Sequence, residues 1–231
     1  MTLMHSAYLL HARDYRDTSL LVELFTEHGE RVSAIARGAR SNRRGVSQRS
    51  ILQPFQPLWI ELGGSGELKL LKQVESRAAA IPLQRHGLFS GLYVNELLCR
   101  LLHRNDSHPD IFFEYERVLP QLQALDRLDI ALRHFELRLL DELGYGLDLT
   151  ADTSGMSIDE QAFYRFDPDR GLSAAAAAAP MALSGRALRE FVAGDYTADA
   201  RRTLKWLCRA ALQPHLGGKP LRSRTLFSVE K

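Results

Sequence analysis

The sequence predicts an α+β protein: a five-stranded closed β-barrel followed by an all-α helical domain with an irregular insert. Three observations lead there. Short apolar segments of period two fill residues 1–80, the apolar spacing changes to 3.6 after Pro82, and neither period persists from residue 145 to about 182. The expected division is a barrel domain over 1–80 and a helical domain over 81–231, with the irregular subdomain at about 145–182.

Turn chemistry separates the short apolar segments of that barrel domain. Strands are expected at 7–11, 20–25, 31–37, 57–62 and 68–74. Glu27-His28-Gly29-Glu30 joins the second and third as a hairpin, and Gly63-Gly64-Ser65-Gly66 joins the fourth and fifth, glycine supplying the positive φ of tight turns. The connection over 38–53 is long, polar and rich in arginine, and long loops in compact domains tend to be functional or disordered. Five short strands in this span fit a barrel of the oligonucleotide/oligosaccharide-binding (OB) type, which removes sheet edges by closure. On the fourth strand Leu58, Ile60 and Leu62 share one face. Phe55 and Trp59 share the other, where such aromatics either stack bases or cover the junction with a following domain.

Leu88, Leu92, Val94, Leu97, Leu98, Leu101 and Leu102 mark the first buried helix. A second stretch over 111–125 must end or kink at Pro120, which lacks an amide donor and clashes with the preceding turn. Leu128, Leu132, Phe135, Leu139 and Leu143 mark the next helix, stopped by Gly144. Six alanines at 174–179 fall in the aperiodic stretch and receive no assignment. Helicity resumes near 185–192 and from about 199 to 213, with Thr197 as N-cap and Pro214, Gly217 and Gly218 as the stop.

The net charge of +2 conceals segregation: residues 1–80 carry 11 basic and 8 acidic side chains, 81–199 carry 11 and 19, and 200–231 carry 8 and 1, giving +3, −8 and +7. Two basic ends flank an acidic middle, a pattern that suits a polyanion partner. No apolar run approaches the ~18–20 residues of a membrane span and no signal-peptide pattern opens the chain, so a cytoplasmic address without membrane attachment is expected. Cys99 and Cys208, each inside an apolar helical pattern, read as buried structural thiols rather than as a disulfide framework or zinc site.

The sharpest local signal lies between Glu30 and Glu61, where Arg31, Arg37, Arg40, Arg43, Arg44 and Arg49 occur with no acidic residue. Guanidinium groups pair with phosphates and stack on bases, so these six are candidate DNA contacts. A disordered basic loop or a docking site for an acidic protein is the alternative. Six single-strand phosphate contacts would give a log–log salt slope of about −4. A second candidate set is Arg201, Arg202, Lys205 and Arg209, where 201, 205 and 209 share one helix face, continued by Lys219, Arg222 and Arg224. That face suits nucleic acid, an acidic partner peptide, or plain solvation.

Catalytic patterns are missing. Gly217-Gly218-Lys219-Pro220 lacks both the first glycine and the Ser/Thr of a phosphate-binding loop, since Gln213 and Pro220 stand there. Gly64-Ser65-Gly66 sits between strands, not in the strand-to-helix setting of a nucleophile elbow. His103, Asp106, His108 and Asp110 lie in a polar connector, where caps and turns account for them better than a metal ion. Asp141 and Glu142 are adjacent and point apart on a helix.

Several blocks occur in a recognisable order: Thr18-Ser19-Leu20-Leu21-Val22-Glu23-Leu24-Phe25-Thr26-Glu27, Ala36-Arg37-Gly38-Ala39-Arg40-Ser41, Leu52-Gln53-Pro54-Phe55, and Gly91-Leu92-Tyr93-Val94-Asn95-Glu96-Leu97-Leu98. Phe135-Glu136-Leu137, Leu143-Gly144-Tyr145-Gly146 and Leu216-Gly217-Gly218-Lys219-Pro220-Leu221-Arg222-Ser223-Arg224 follow. Together they resemble the bacterial recombination mediator family RecO across nearly the whole chain. The resemblance implies an OB barrel followed by a helical domain in a non-enzymatic, nucleoid-associated DNA repair protein without a cofactor. It implies binding to single- and double-stranded DNA and annealing of complementary strands. It also implies, with the partner RecR, help in loading the RecA recombinase onto strands coated by single-strand-binding protein, in the RecF pathway of DNA recombination after damage. Many family members carry a four-cysteine zinc site in the irregular region. This chain has no cysteine over 147–180, so no metal is expected and packing must hold that subdomain. Family members also bind the acidic C-terminal tail of single-strand-binding protein, for which both the 201–209 face and the 133–138 region qualify by composition. The rival reading is a basic adaptor that binds acidic proteins without annealing DNA.

Overall fold

The computed structural model describes residues 4–41, 48–104 and 106–227, and the chain forms two compact units: Met1–Leu125 with Pro220–Lys231, and Asp126–Lys219. In the first, β1 (His5–Tyr15), β2 (Ser19–Thr26), β3 (Arg31–Ala36), β4 (Leu58–Gly63) and β5 (Leu68–Ser76) close into a barrel in the order β1-β2-β3-β5-β4. All neighbours are antiparallel except β3 and β5, which are parallel and are joined through the long connection and β4. The expected five strands and their closure are therefore present.

Period-two burial fills the barrel. Leu20, Val22 and Leu24 point inward from β2 and meet Ala7, Leu9, Ala34, Ala36, Leu58, Ile60, Leu71 and Val74. Small alanines opposite leucines suit a narrow interior, and each fully buried Leu or Ile contributes about 1.5–3 kcal/mol. The outer face of one sector is buried too. Tyr8, Leu10 and Phe25 are at most 4% exposed although they point away from the interior. They are covered by two helices of the same unit, α2 (Arg85–Leu101) and α3 (Pro109–Gln121), numbered after a one-turn helix α1 (Gln48–Ile51) in the long connection. Tyr8 and Phe25 lie 5.0–5.9 Å from the rings of Phe112 and Tyr115. Both faces being covered explains why β1 reads as an apolar run and not as clean alternation. Pro109 opens α3 and Pro120 falls in its last turn, so the helix ends one residue later, as the proline demands.

A register shift in the β1–β2 pairing falls between Leu9 and His11. Asn95 of α2, 2% exposed, donates from Nδ2 to the carbonyls of Leu9 (3.4 Å) and Leu10 (3.2 Å) and accepts from the Tyr115 hydroxyl at 2.7 Å. One side chain thus satisfies the irregular strand and ties both helices to it.

The second unit contains α4 (Leu128–Glu142), α5 (Gly185–Ala193) and α6 (Ala198–Leu212), and a three-stranded antiparallel sheet. That sheet is β6 (Phe163–Asp167), β7 (Gly171–Ala175) and β8 (Leu183–Ser184) in the order β7-β6-β8. The region expected to be irregular therefore carries regular structure, and the helical part is not all-α. Tyr164, Phe166, Leu172 and Leu183 are buried by it. Two of the six alanines, Ala174 and Ala175, end β7. Four aspartates organise the turns: Asp148, Asp152, Asp159 and Asp167 accept from the amides of Thr150 (2.7 Å), Ser154 (2.9 Å), Gln161 (2.9 Å) and Asp169 (3.0 Å). Hydrogen bonds from Thr150 and Ser154 hold the Asp148 and Asp152 carboxyls below the usual range. Thr197 caps α6 as expected, its hydroxyl oxygen accepting from the Ala200 amide at 3.2 Å.

Candidate nucleic-acid interface

The arginine-rich connection leaves β3 through Gly38, whose φ of +67° reverses the chain. It is fastened at both described ends. The Arg40 amide donates to the Thr18 carbonyl at 3.0 Å, and the Arg49 amide to that of Ala39 at 3.1 Å. This seats the connection beside the turn between β1 and β2. Arg37 is exposed. Arg40 reaches an Asp14 oxygen at 3.3 Å, and Arg49 reaches the other at 3.9 Å. Asp14 is 59% exposed, so these are surface pairs worth at most about 1 kcal/mol and open to exchange for a phosphate. Arg43 and Arg44 lie outside the described residues.

The fold adds a cation that sequence inspection passes over. Arg16 is exposed, and its carbonyl lies 3.5 Å from an Arg40 Nη. Along the chain Asp14 and Asp17 flank it and hide the charge. In space, Arg16 lies in the β1–β2 turn, Arg40 reaches its carbonyl and shares Asp14 with Arg49, and the exposed Arg37 follows Ala36, which pairs with Leu20 beside that turn.

Arg31 belongs elsewhere. Its side chain is 19% exposed, donates to the Cys99 carbonyl at the end of α2 and lies 3.9 Å from Glu23. The two aromatics also part. Phe55 has φ +63° and is 4% exposed, its ring against Gly91, where a Cβ would stand 2.8 Å from it; it covers the barrel–α2 junction. Trp59 stays 37% exposed, with the Arg77 guanidinium 5.9 Å above its ring. Arg77 is held by Glu116 and by the Ser6 hydroxyl at 2.7 Å. Burial, and then the Glu116 carboxylate, push the neighbouring Tyr8 phenol up to about 12.

The C-terminal basic set divides between the two units. Arg201, Arg202, Lys205, Arg209 and Lys219 belong to the second; Arg222 and Arg224 belong to the first. On α6, Arg201 is anchored by Asp129 at 3.2 Å and by the carbonyls of Asp126 and Tyr196 at 3.0 Å each. Arg202 pairs with Asp199 at 2.7 Å while 78% exposed, and Lys205, Arg209 and Lys219 are exposed. Ala200, Leu204, Leu207, Ala211 and Leu212 form the buried face. Of the 133–138 region, Arg138 pairs with Asp141 at 3.0 Å, whereas Arg133 is 8% exposed and engaged with Glu136 at 2.7 Å.

Arg222 is exposed and Arg224 half-buried on a short helix α7 (Ser223–Leu226) that packs against α2. Glu96 holds it there. Its carboxylate accepts from the Arg222 amide (2.9 Å), the Ser223 amide (2.8 Å), the Ser223 hydroxyl (2.7 Å) and Arg100 (2.8 Å). Burial alone would raise the Glu96 pKa, but the bonds from Ser223 and Arg222 outweigh it and hold the group below the usual range. A depressed carboxyl stabilises fully above its unfolded value of about 4.3, and that contribution disappears as pH falls through the folded value. Amide exchange at 221–226 should therefore accelerate as pH drops below about 4, after correction for intrinsic rates. Glu96→Ala should release the segment already at pH 7, at a cost of about 2 kcal/mol.

His103, Asp106, His108 and Asp110 do not converge; the one group of metal-ligating side chains among the described residues is elsewhere. Cys99 and Cys208 are free thiols, pushed up chiefly by burial, Cys99 to about 12. Among the described residues no helix is long and apolar enough to cross a membrane.

Comparison with known proteins agrees with this architecture. Residues 1–79 match the family described as Recombination protein O N terminal, and residues 83–225 match Recombination protein O C terminal. The chain is 43% identical over 223 residues to the DNA repair protein RecO of Actinobacillus succinogenes, covering 96% of this chain and 93% of that one. It is 43% identical over 224 residues to that of Pasteurella multocida, covering 96% and 92%. It is 44% identical over 226 residues to that of Stutzerimonas stutzeri, covering 97% and 93%. With both halves matched and the barrel in place, the chain belongs to the RecO family of DNA repair proteins.

Proposed function

We propose that the protein is a non-catalytic recombination mediator whose barrel holds single-stranded DNA by its backbone at the end formed by the β1–β2 turn and the 37–49 connection. The observation that carries this reading is the gathering of Arg16, Arg37, Arg40 and Arg49 at the β1–β2 turn, where Arg40 and Arg49 share the exposed Asp14. Cations without a recognition helix or a buried pocket suit phosphates more than base edges, which leaves the bases free to pair with a second strand. Annealing then needs charge neutralisation and no bond chemistry. The exposed Lys205, Arg209 and Lys219 of the second unit offer a separate cationic surface for a second strand or for the acidic tail of single-strand-binding protein. Cooperation with RecR in loading RecA extends the same reading.

Replacing Arg40, Arg43 and Arg44 with Ala should flatten the salt dependence of single-strand binding by about 0.7 per contact, roughly 2 in the log–log slope, in anisotropy titrations. An unchanged slope would remove this connection from the DNA contact.

Because Arg40 and Arg49 are already turned toward Asp14, an adaptor that binds acidic proteins is a second reading. It predicts no acceleration of pairing between complementary strands coated with single-strand-binding protein, whereas a mediator accelerates it.

A further inference from the structure

At the opposite end of the barrel, three side chains with free electron pairs converge. His5 opens β1, while Glu27 and His28 lie in the turn between β2 and β3. The His5 Nδ1 stands 3.4 Å from a Glu27 Oε and 3.3 Å from the His28 Nε2, and the three ligand atoms all lie within 4.8 Å of one another. We propose that His5, Glu27 and His28 form a binding site for a divalent cation of the zinc class.

The spacing carries the first part of the argument. With metal–nitrogen distances of about 2.05 Å, neighbouring ligands of a tetrahedral ion sit about 3.3 Å apart. Both contacts made by His5 have that length. Protonation carries the second part. One nitrogen, His5 Nδ1, faces both other groups. If it bears the proton, it can donate to Glu27 but then leaves the His28 contact to share the same hydrogen. If His28 donates to it, its lone pair faces away from bonding with Glu27, which can only accept when ionised. No neutral tautomer satisfies both contacts, whereas a cation between the three satisfies all of them and is offset by one carboxylate charge. Two imidazoles and one carboxylate favour zinc over magnesium or calcium, and three protein ligands leave a fourth position for water.

The turn that supplies two of the ligands is held in place before any ion arrives. The Glu27 amide donates to the Ser6 carbonyl at 2.9 Å, and the Ser107 hydroxyl donates to the His28 carbonyl at 2.6 Å. Gly29, at φ +73°, lies so close to the connector before α3 that a Cβ would stand 1.9 Å from the His108 carbonyl carbon. Ligands fixed by backbone contacts pay less ordering entropy on binding. The ion would staple the first residue of β1 to the β2–β3 turn.

Untagged, chelator-treated full-length protein titrated with zinc chloride by calorimetry should bind one ion, and cobalt should give the visible bands of a tetrahedral site without the intense near-ultraviolet thiolate band. Zinc should also raise the melting temperature. His28→Gln and Glu27→Gln should each weaken binding at least about tenfold. Both are surface substitutions, and circular dichroism checks that the fold persists. His103→Gln with His108→Gln should leave binding unchanged. Failure of the parent protein to bind, equal binding by the His5→Gln/His28→Gln variant, or loss of binding only in the His103/His108 variant would overturn the proposal.

Discussion

Glu136→Leu should cost the second unit about 3–5 kcal/mol, enough to unfold a marginal domain at room temperature. Glu136 is fully buried on α4, its partner Arg133 is 8% exposed one turn earlier at 2.7 Å, and the buried Cys208 thiol of α6 hydrogen-bonds to the same carboxylate. A leucine fits the apolar surroundings, so the loss comes from removing the carboxylate that pairs with the buried guanidinium and not from packing. The partner experiment separates the two: Arg133→Met with Glu136→Leu removes both desolvated charges and should recover most of the stability. The chain offers a convenient reporter, because its two tryptophans fall one in each unit, Trp59 in the first and Trp206 in the second. In a Trp59→Phe background, urea unfolding followed by fluorescence reads the second unit alone. A single-variant loss below about 1 kcal/mol would refute the buried-charge account.

Asn95→Ala should destabilise the first unit by about 3 kcal/mol. It leaves the carbonyls of Leu9 and Leu10 and the Tyr115 hydroxyl without the partner they now share, at about 1 kcal/mol or more for each buried group. Tyr115 is fully buried and its pKa is pushed far up, chiefly by that burial, so it can compensate neither by ionising nor by reaching water. Tyr115→Phe removes one of the three bonds and should cost about a third as much. Trp59 fluorescence in a Trp206→Phe background reads this unit. Equal effects of the two substitutions would show that the bonds to β1 carry no weight.

These two side chains mark the boundary of what the sequence makes legible. Barrel strands stand out because β2 and β4 alternate between an interior and an outside, and the helices because one face of each is apolar. β7, Gly-Leu-Ser-Ala-Ala, has almost no strand propensity; it exists through pairing with β6 and the burial of Leu172, so local pattern could not reveal it. Arg37, Arg40 and Arg49 were visible as an acid-free run, but Arg16 joins them only through the β1–β2 turn. Arg31 shares that run in sequence yet turns toward the end of α2. Glu96 meets Arg222 across 126 residues, a relation no local reading contains. The continuous basic stretch from Arg201 to Arg224 crosses from one compact unit to the other between Lys219 and Pro220, and continuity of charge in sequence said nothing of that division.

That crossing also bears on how the molecule is made. The unit spanning 126–219 is nested inside the other, which the chain leaves after Leu125 and re-enters at Pro220. During synthesis the barrel and α2 emerge first, but Glu96 waits through the entire nested unit for the amides of Arg222 and Ser223. The nested unit can fold as a contiguous piece, whereas closure of the α2–α7 contact is a late, long-range event that pays loop entropy after everything else is in place. A nascent chain stalled before residue 220 would therefore carry the barrel and α2 with Glu96 still lacking the amides of Arg222 and Ser223.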